Sequence, residues 1–467
     1  MYNYTMCGVG AVIHKDKNSN INNILYELLF NLQHRGQDSS GFVTFDEGAN
    51  KVHITKKLGL VDLNIEKILE CNGNMGIGHI RYPTQGSSLC LDEIQPLYEN
   101  IFDGISLAHN GNLTNIDELK HFIKSNNIYL KSNSDSEMIL KIFVFYLQKK
   151  ITSIKEITPL ILKNVVENIY EVCRGSYSII VMINNYGLLL FRDIYGIKPL
   201  VYSVEKDYIA AASETIAFQD NNNYYNVRNG DIVVINEMNI TTINIKNNEL
   251  VPCLFEYIYF ASPESYINNI LVYEYRDKIS EKLIQQIKEK NIVDNIDCVI
   301  PIPQTGIITA VKIAEQLKKP IKNAVVKNRY THRTFINKNH TDIVKNIKKI
   351  KIINKLVNNK NVLVVDDSIV RGNTSKYIVS ELRKNNVNKI YFVSCCPPIK
   401  YPNKYGIAIP SFQELIAHNR SDSMIKNELN VDELFFLDLD SLCKVLNELN
   451  PCIKKFETSV FTGKYIT

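Results

Sequence analysis

NVLVVDDSIVRGNTS, residues 361–375, decides the fold of the second half of this chain. Four apolar residues deliver two adjacent acids, Asp366 and Asp367, to a loop. A short, continuous apolar run of this kind reads as a strand buried on both faces, as in a parallel sheet. Ligands of such sheets bind outside the carboxyl ends of the strands. Gly372 then lets the backbone approach a ligand closely. Thr374 and Ser375 fall in the first turn of the helix that follows. N–H groups and hydroxyls at a helix N-terminus favour an anion, best a phosphate. The two acids suit ribose hydroxyls, and they suit Mg²⁺ carried by a pyrophosphate.

The flanking sequence repeats the strand–helix rhythm. DCVIPIP (297–303) reads as a buried strand and TGIITAVKIAEQLKK (305–319) as a helix. AVVKNRY (324–330) reads as a strand, TSKYIVSELRKN (374–385) as a helix and KIYFVSCC (389–396) as a strand. Alternation of this kind predicts βαβ units and a mainly parallel sheet. IPIPQTGI (300–307) places a small polar turn with Thr305 at another strand end, suited to pyrophosphate and metal. KNRYTHRTF (327–335) supplies Lys327, Arg329 and Arg333, either to close over a polyanion or as a solvated basic loop. A ligand with both a terminal phosphate and a pyrophosphate-bearing ribose is 5-phosphoribosyl-1-pyrophosphate. The 361–375 segment resembles the fingerprint of type I phosphoribosyltransferases. That resemblance implies binding through Lys327, Arg329, Arg333, Asp366, Asp367, Arg371, Gly372, Asn373, Thr374 and Ser375. It implies one Mg²⁺ per subunit at Thr305, Asp366 and Asp367. Asn373 stands where the fingerprint commonly has Thr.

The first 240 or so residues differ in rhythm. GVGAVI (8–13), MGIGHI (75–80), SYSIIVMI (176–183), GLLLFR (187–192) and GDIVVI (230–235) are strand-like. INNILYELLFNLQHR (21–35) and DSEMILKIFVFYLQ (135–148) carry apolar residues at helical spacing. Polar motifs punctuate these elements. LQHRGQDSSG (32–41) is a turn after a helix. GHIRYPTQG (78–86) places Arg81 just past a strand, AHNGNLTN (108–115) reads as a tight turn, and SNSDSE (132–137) puts Asp135 just before a helix. With Cys7-Gly8 near the start, this order resembles the class II glutamine amidotransferases, which are N-terminal nucleophile hydrolases.

The resemblance implies an α+β, four-layer αββα domain in which Cys7 is the terminal nucleophile and Asn110 and Gly111 stabilise the oxyanion. It assigns Arg35, Arg81, Thr84 and Asp135 to glutamine binding. A terminal cysteine merges nucleophile and base, because an α-amine titrates near about 8. Residues 1–6 are then a propeptide, or translation starts at Met6 and removal of that methionine leaves Cys7 first.

The two halves in this order resemble the glutamine phosphoribosylpyrophosphate amidotransferase family. The likeness extends over RDIYGIKPL (192–200), FEYIYFASPES (255–265) and FETSVFTGKYIT (456–467). The expected layout is residues 1–6 as a propeptide or as residues before the true start, 7–240 glutaminase, 241–260 interdomain and 261–467 phosphoribosyltransferase with a C-terminal extension. FEYIYF is either the wall of an ammonia passage or a plain interdomain core segment. Two departures from the family pattern, His332 in the basic loop and Ser262 in FASPES, bear on loop closure and the channel. The resemblance further implies feedback by purine nucleotides and a homotetramer. A non-catalytic nucleotide-sensing regulator and another class II amidotransferase, such as glucosamine-6-phosphate synthase or asparagine synthetase, are the alternatives.

Composition bounds the rest. The chain has 467 residues, 45% apolar and 22% charged, with a net charge of +5. That size predicts two domains, and no basic patch supports nucleic-acid binding. No apolar stretch reaches the roughly 20 residues of a membrane span, so the expectation is a cytoplasmic protein. Ten cysteines without paired spacing suit a reducing compartment. One family branch holds an iron–sulfur cluster. Asn403, Glu457 and Val460 stand at ligand positions of that branch and leave Cys253 alone, so no cluster is expected.

Overall fold

A computed structural model describes residues 7–81, 91–220, 223–327, 350–409 and 411–467, without the side chains of residues 63, 64 and 327. Two antiparallel sheets form the first half. One has seven strands, in spatial order Tyr225–Asn226, Val201–Val204, Tyr208–Ala212, Gly8–His14, Met75–Arg81, Ser39–Asp46 and Lys51–Leu58. The other has six: Asn239–Asn244, Asp231–Asn236, Gly187–Arg192, Gly175–Ile183, Ile105–Leu113 and Leu97–Glu99.

Side-chain alternation explains the layering. Val9, Ala11 and Ile77 of the first sheet meet Ala108, Ile180, Met182 and Leu190 of the second in one inner core. Val12, Phe42 and Ile80 point the other way, onto Leu25, Leu28 and Leu29 of the helix Asn22–Asn31. The outer face of the second sheet is covered by the helices Asp135–Gln148 and Pro159–Val172. The result is the αββα stack. The strand glycines of MGIGHI have a packing reason. A Cβ on Gly76 would stand 2.9 Å from Ile21 Cδ1 and 3.1 Å from Leu25 Cδ2, so glycine is what lets the helix seat.

The second half is built on four parallel strands in the order Cys298–Pro301, Asn361–Asp366, Lys389–Ser394 and Glu433–Phe436. Val362 to Asp366 are buried, as befits a strand covered on both faces. The helix Val272–Glu289 packs on one side, in a core that also takes in Cys253 to Ala261 and the helix Ile307–Gln316. The helix Asn373–Lys384 packs on the other. No helix among the described residues is long and apolar enough to cross a membrane.

Two expectations change. AHNGNLTN does not form a tight turn: Asn110 and Gly111 lie within the strand Ile105–Leu113, opposite Ser178 and Tyr177. Polar residues are tolerated there because antiparallel pairing satisfies their backbone while their side chains serve the strand end. AVVKNRY does not join the parallel sheet either. Val325–Lys327 pairs antiparallel with Ile350–Ile352 in a separate two-stranded ribbon.

Candidate active site

Cys7 is buried immediately before the first strand. The next residue, Gly8, pairs with Ile80, which brings Arg81 alongside. Arg81, the last residue of its strand, is buried and ion-paired to Glu93 at 2.8 Å. His79 of the same strand reaches the second sheet, where its Nε2 lies 3.2 Å from the carbonyl oxygen of His109. Asn110 follows directly. Its Nδ2 is buried and has no hydrogen-bond partner among the described residues. A buried donor without a partner is costly, and it suits an oxygen that carries charge only during a reaction.

Asp135 closes the other side. Its Oδ2 accepts the N–H of Leu113 at 3.1 Å, which ties the start of the helix Asp135–Gln148 to the Asn110 strand. Within SDSE the two acids divide their labour. Both carboxylate oxygens of Glu137 accept N–H groups of Lys131 and Ser132, a purely structural bond set.

The surroundings are buried and charged. Burial, then the Arg81 charge, pushes His79 down to about 3, so it stays neutral. Burial also lowers His109. Arg35, which the family resemblance assigns to glutamine binding, lies against the backbone of Cys7. The side chain is fully buried, and its Nε donates to the carbonyl oxygen of Cys7 at 3.1 Å. Its other nitrogens pair with Glu214 and with Glu256, the latter at 2.9 Å. Burial by itself would raise the carboxyl of Glu214, yet His34 and Arg35 hold it well below the usual carboxylate range.

The second site is an open pocket at the carboxyl edge of the parallel sheet. It is lined by Asp366, Asp367 and the loop from Ser368 to Ser375, with Tyr259 of the FEYIYF segment in its wall. Gly372 has φ +75° and caps the helix Asn373–Lys384, so Thr374 and Ser375 lie in its first turn. Arg371 is ion-paired to Glu414 at 2.8 Å.

Burial, then the charge of Asp367, raises the carboxyl of Asp366, and burial raises that of Asp367 against the hydrogen bonds it accepts from Ser368 and Thr305. The Oγ1 hydroxyl of Thr305 donates to Asp367 Oδ2. Two buried acids with a hydroxyl form a hard-oxygen set that fits Mg²⁺, with substrate and water oxygens completing its shell. No group of three or more His, Cys, Asp or Glu side chains at metal-binding distance occurs among the described residues. At the positions compared with cluster ligands, Asn403 Oδ1 accepts the N–H of Tyr405 and Ile407. Glu457 is buried and accepts the N–H of Ser459.

Thr84, Arg329 and Arg333 lie outside the described residues, as do residues 1–6, and the Lys327 side chain is not described. Sequence reasoning missed Glu93, Glu214 and Glu256. Their partners are 12 to 221 positions away, beyond the reach of any local pattern.

Models of two families match the chain: a glutamine amidotransferase domain over residues 88–220 and a phosphoribosyl transferase domain over residues 269–409. The amidophosphoribosyltransferase of Haemophilus influenzae is 41% identical over 480 residues, covering 99% of this chain and 93% of that one. That of Escherichia coli is 39% identical with the same coverage. A solved glutamine phosphoribosylpyrophosphate amidotransferase from B. subtilis, complexed with ADP and GMP, superposes with TM-score 0.85. It is 30% identical and covers 99% of this chain and 97% of its own.

Proposed function

Since the chain belongs to the amidophosphoribosyltransferase family, we infer that it makes 5-phosphoribosylamine, glutamate and pyrophosphate from glutamine, phosphoribosylpyrophosphate and water. This is the first step of purine biosynthesis. A non-catalytic regulator and other class II amidotransferases are not favoured, because the full-length identity spans both halves. One observation carries the reading: a single chain holds a buried Asn110 donor, unpartnered among the described residues, near the strand that follows Cys7, and an acid-lined, αL-glycine anion pocket.

At the first site, Cys7 Sγ attacks the glutamine side-chain amide. Its own α-amine, exposed once residues 1–6 are absent, takes the thiol proton and passes it to the departing ammonia. Asn110 Nδ2 and the Gly111 N–H receive the oxyanion. Arg81 takes the α-carboxylate of glutamine, with Thr84 beside it, and Asp135 takes the α-ammonium. Arg35 holds the Cys7 carbonyl and with it the nucleophile's backbone. Water then opens the thioester to glutamate.

At the second site, the loop from Arg371 to Ser375 binds the 5-phosphate through backbone N–H groups and hydroxyls. Asp366 and Asp367 orient the ribose hydroxyls. Lys327, Arg329 and Arg333 cover the pyrophosphate. Thr305, Asp366 and Asp367 would hold Mg²⁺, which would supply charge neutralisation for the leaving pyrophosphate. Ammonia attacks C1 as the C1–O bond breaks, and the ammonium proton is lost to solvent. Purine nucleotides regulate the enzyme, a reading supported by the ADP and GMP in the B. subtilis structure. A cytoplasmic homotetramer remains part of this proposal on family grounds.

The test is Cys7→Ala. Glutamine-dependent synthesis should vanish while synthesis from high ammonia persists. Full glutamine-dependent turnover in that variant, or an active enzyme whose intact mass retains residues 1–6, would overturn the mechanism.

A further inference from the structure

The strand that carries Asn110 and Gly111 is gripped by a loop from the other half of the chain. Residues 403–407 follow the parallel-sheet strand Lys389–Ser394, next to the Asp366 strand. Their loop is internally fixed, because Asn403 Oδ1 accepts the N–H of Tyr405 at 2.7 Å and of Ile407 at 3.0 Å. Tyr405 is fully buried, and its Oη accepts the N–H of Ile466 at 2.6 Å and of Thr467 at 2.9 Å.

This rigid loop makes three contacts with the strand pair. Asn112 Nδ2 donates to the Lys404 carbonyl at 3.0 Å. Ser176 Oγ donates to the Tyr405 carbonyl at 2.9 Å. Gly406 meets Gly111 backbone to backbone, so closely that a Cβ at 406 would stand 2.8 Å from both C and O of Gly111. Gly406 has φ +87° and Gly111 φ +152°. Neither position admits a side chain without strain, and the two peptides touch with nothing between them.

We propose that Gly406 is a positioning residue for glutamine hydrolysis: its contact, with the Lys404 and Tyr405 carbonyls on either side, sets the Asn110–Gly111 donors at their working position. The inference rests on the assignment of those two residues as oxyanion donors. The donors of the first reaction are thereby held from the sheet that binds the second substrate. Donor placement matters at the sub-ångström level, because the oxyanion bond is made only in the transition state.

The experiment compares Gly406→Ala, Ser176→Ala and Asn110→Ala in the full-length enzyme. Removing one oxyanion donor typically lowers kcat about 10²–10³-fold, and displacing one should cost about 10-fold or more. Gly406→Ala should therefore lose kcat for glutamine hydrolysis with KM for glutamine unchanged. Synthesis from ammonia should be unaffected, which also shows that the variant is folded. Ser176→Ala removes a grip without adding an atom, and it should show the same signature more weakly.

A merely structural role predicts parallel loss of both activities in Gly406→Ala, and that result overturns the proposal. So does unchanged hydrolysis in Gly406→Ala and Ser176→Ala while Asn110→Ala loses kcat; the oxyanion assignment then stands. Full hydrolysis in Asn110→Ala overturns the assignment itself, and the proposal with it.

Discussion

Arg35 Nε donates to the carbonyl oxygen of Cys7 at 3.1 Å, and the same guanidinium is paired with Glu256, 221 residues further along the chain. The backbone of Cys7 therefore hangs from a charge cluster that includes a residue beyond both antiparallel sheets. Replacing Arg35 with Met takes the guanidinium from buried Glu256 and leaves buried Glu214 with His34 alone of its two basic partners. Breaking a buried pair in this way typically costs about 3–5 kcal/mol. Arg35→Met should lower the urea midpoint accordingly and abolish glutamine hydrolysis. An unchanged midpoint would show that the cluster contributes nothing net.

His79 sets a pH dependence. Its folded value of about 3 lies below the ordinary histidine value of 6.5. The unfolded chain therefore binds the proton more readily between those limits. Stability from this group is complete above about pH 6.5 and falls by up to about 1.4 kcal/mol per pH unit as pH drops toward 3. The lowered His109 adds to the slope. His79→Gln should flatten the difference between unfolding free energies measured at pH 7 and pH 5. An identical slope in the variant would remove His79 from the account.

Glu93 holds Arg81 at 2.8 Å, both side chains being nearly buried. If Arg81 takes the substrate carboxylate, its direction matters for binding more than for bond breaking. Glu93→Gln should raise KM for glutamine several-fold with kcat little altered, the pattern of a lost ground-state and transition-state contact in equal measure. Steady-state glutaminase kinetics decide it, and a fall in kcat at constant KM would contradict it.

Thr305 donates to the Asp367 carboxylate from the end of the neighbouring strand. Thr305→Ala should raise KM for phosphoribosylpyrophosphate and the Mg²⁺ concentration needed for half-maximal rate. It should do so equally with glutamine or ammonia as nitrogen source, since the residue's hydroxyl bonds to Asp367 of the second pocket. A change confined to the glutamine-dependent rate would place Thr305 elsewhere.

Gly372 occupies φ +75°, and a Cβ there would also run into Ile416 Cδ1. The left-handed region alone costs an L-residue about 1–2 kcal/mol. Gly372→Ala should weaken phosphoribosylpyrophosphate binding in a direct titration and lower the melting temperature by a few degrees. Wild-type affinity would mean that the loop does not approach the ligand.

What could be read from the chain was local in origin. Runs such as Gly187–Arg192 and Asp135–Gln148 declare themselves by period, and their bounds in the structure match the sequence reading. Asp366, Asp367 and Gly372 announce a strand end, a loop and a helix cap within a dozen residues. The polar stretch around Asn110 misled for the same reason. Short polar residues with glycine favour turns, but here pairing with Gly175–Ile183 outweighs that preference.

The amino-acid order by itself determined the two architectures and the residue types at each site, because periodicity, turn chemistry and motif spacing act over a few neighbouring positions. The folded chain alone decided which charges meet. Arg35 with Glu256 and Gly406 against Gly111 are contacts across 221 and nearly 300 residues. No local preference encodes them. They follow from packing two halves until buried charges are paired and no gap remains between facing backbones.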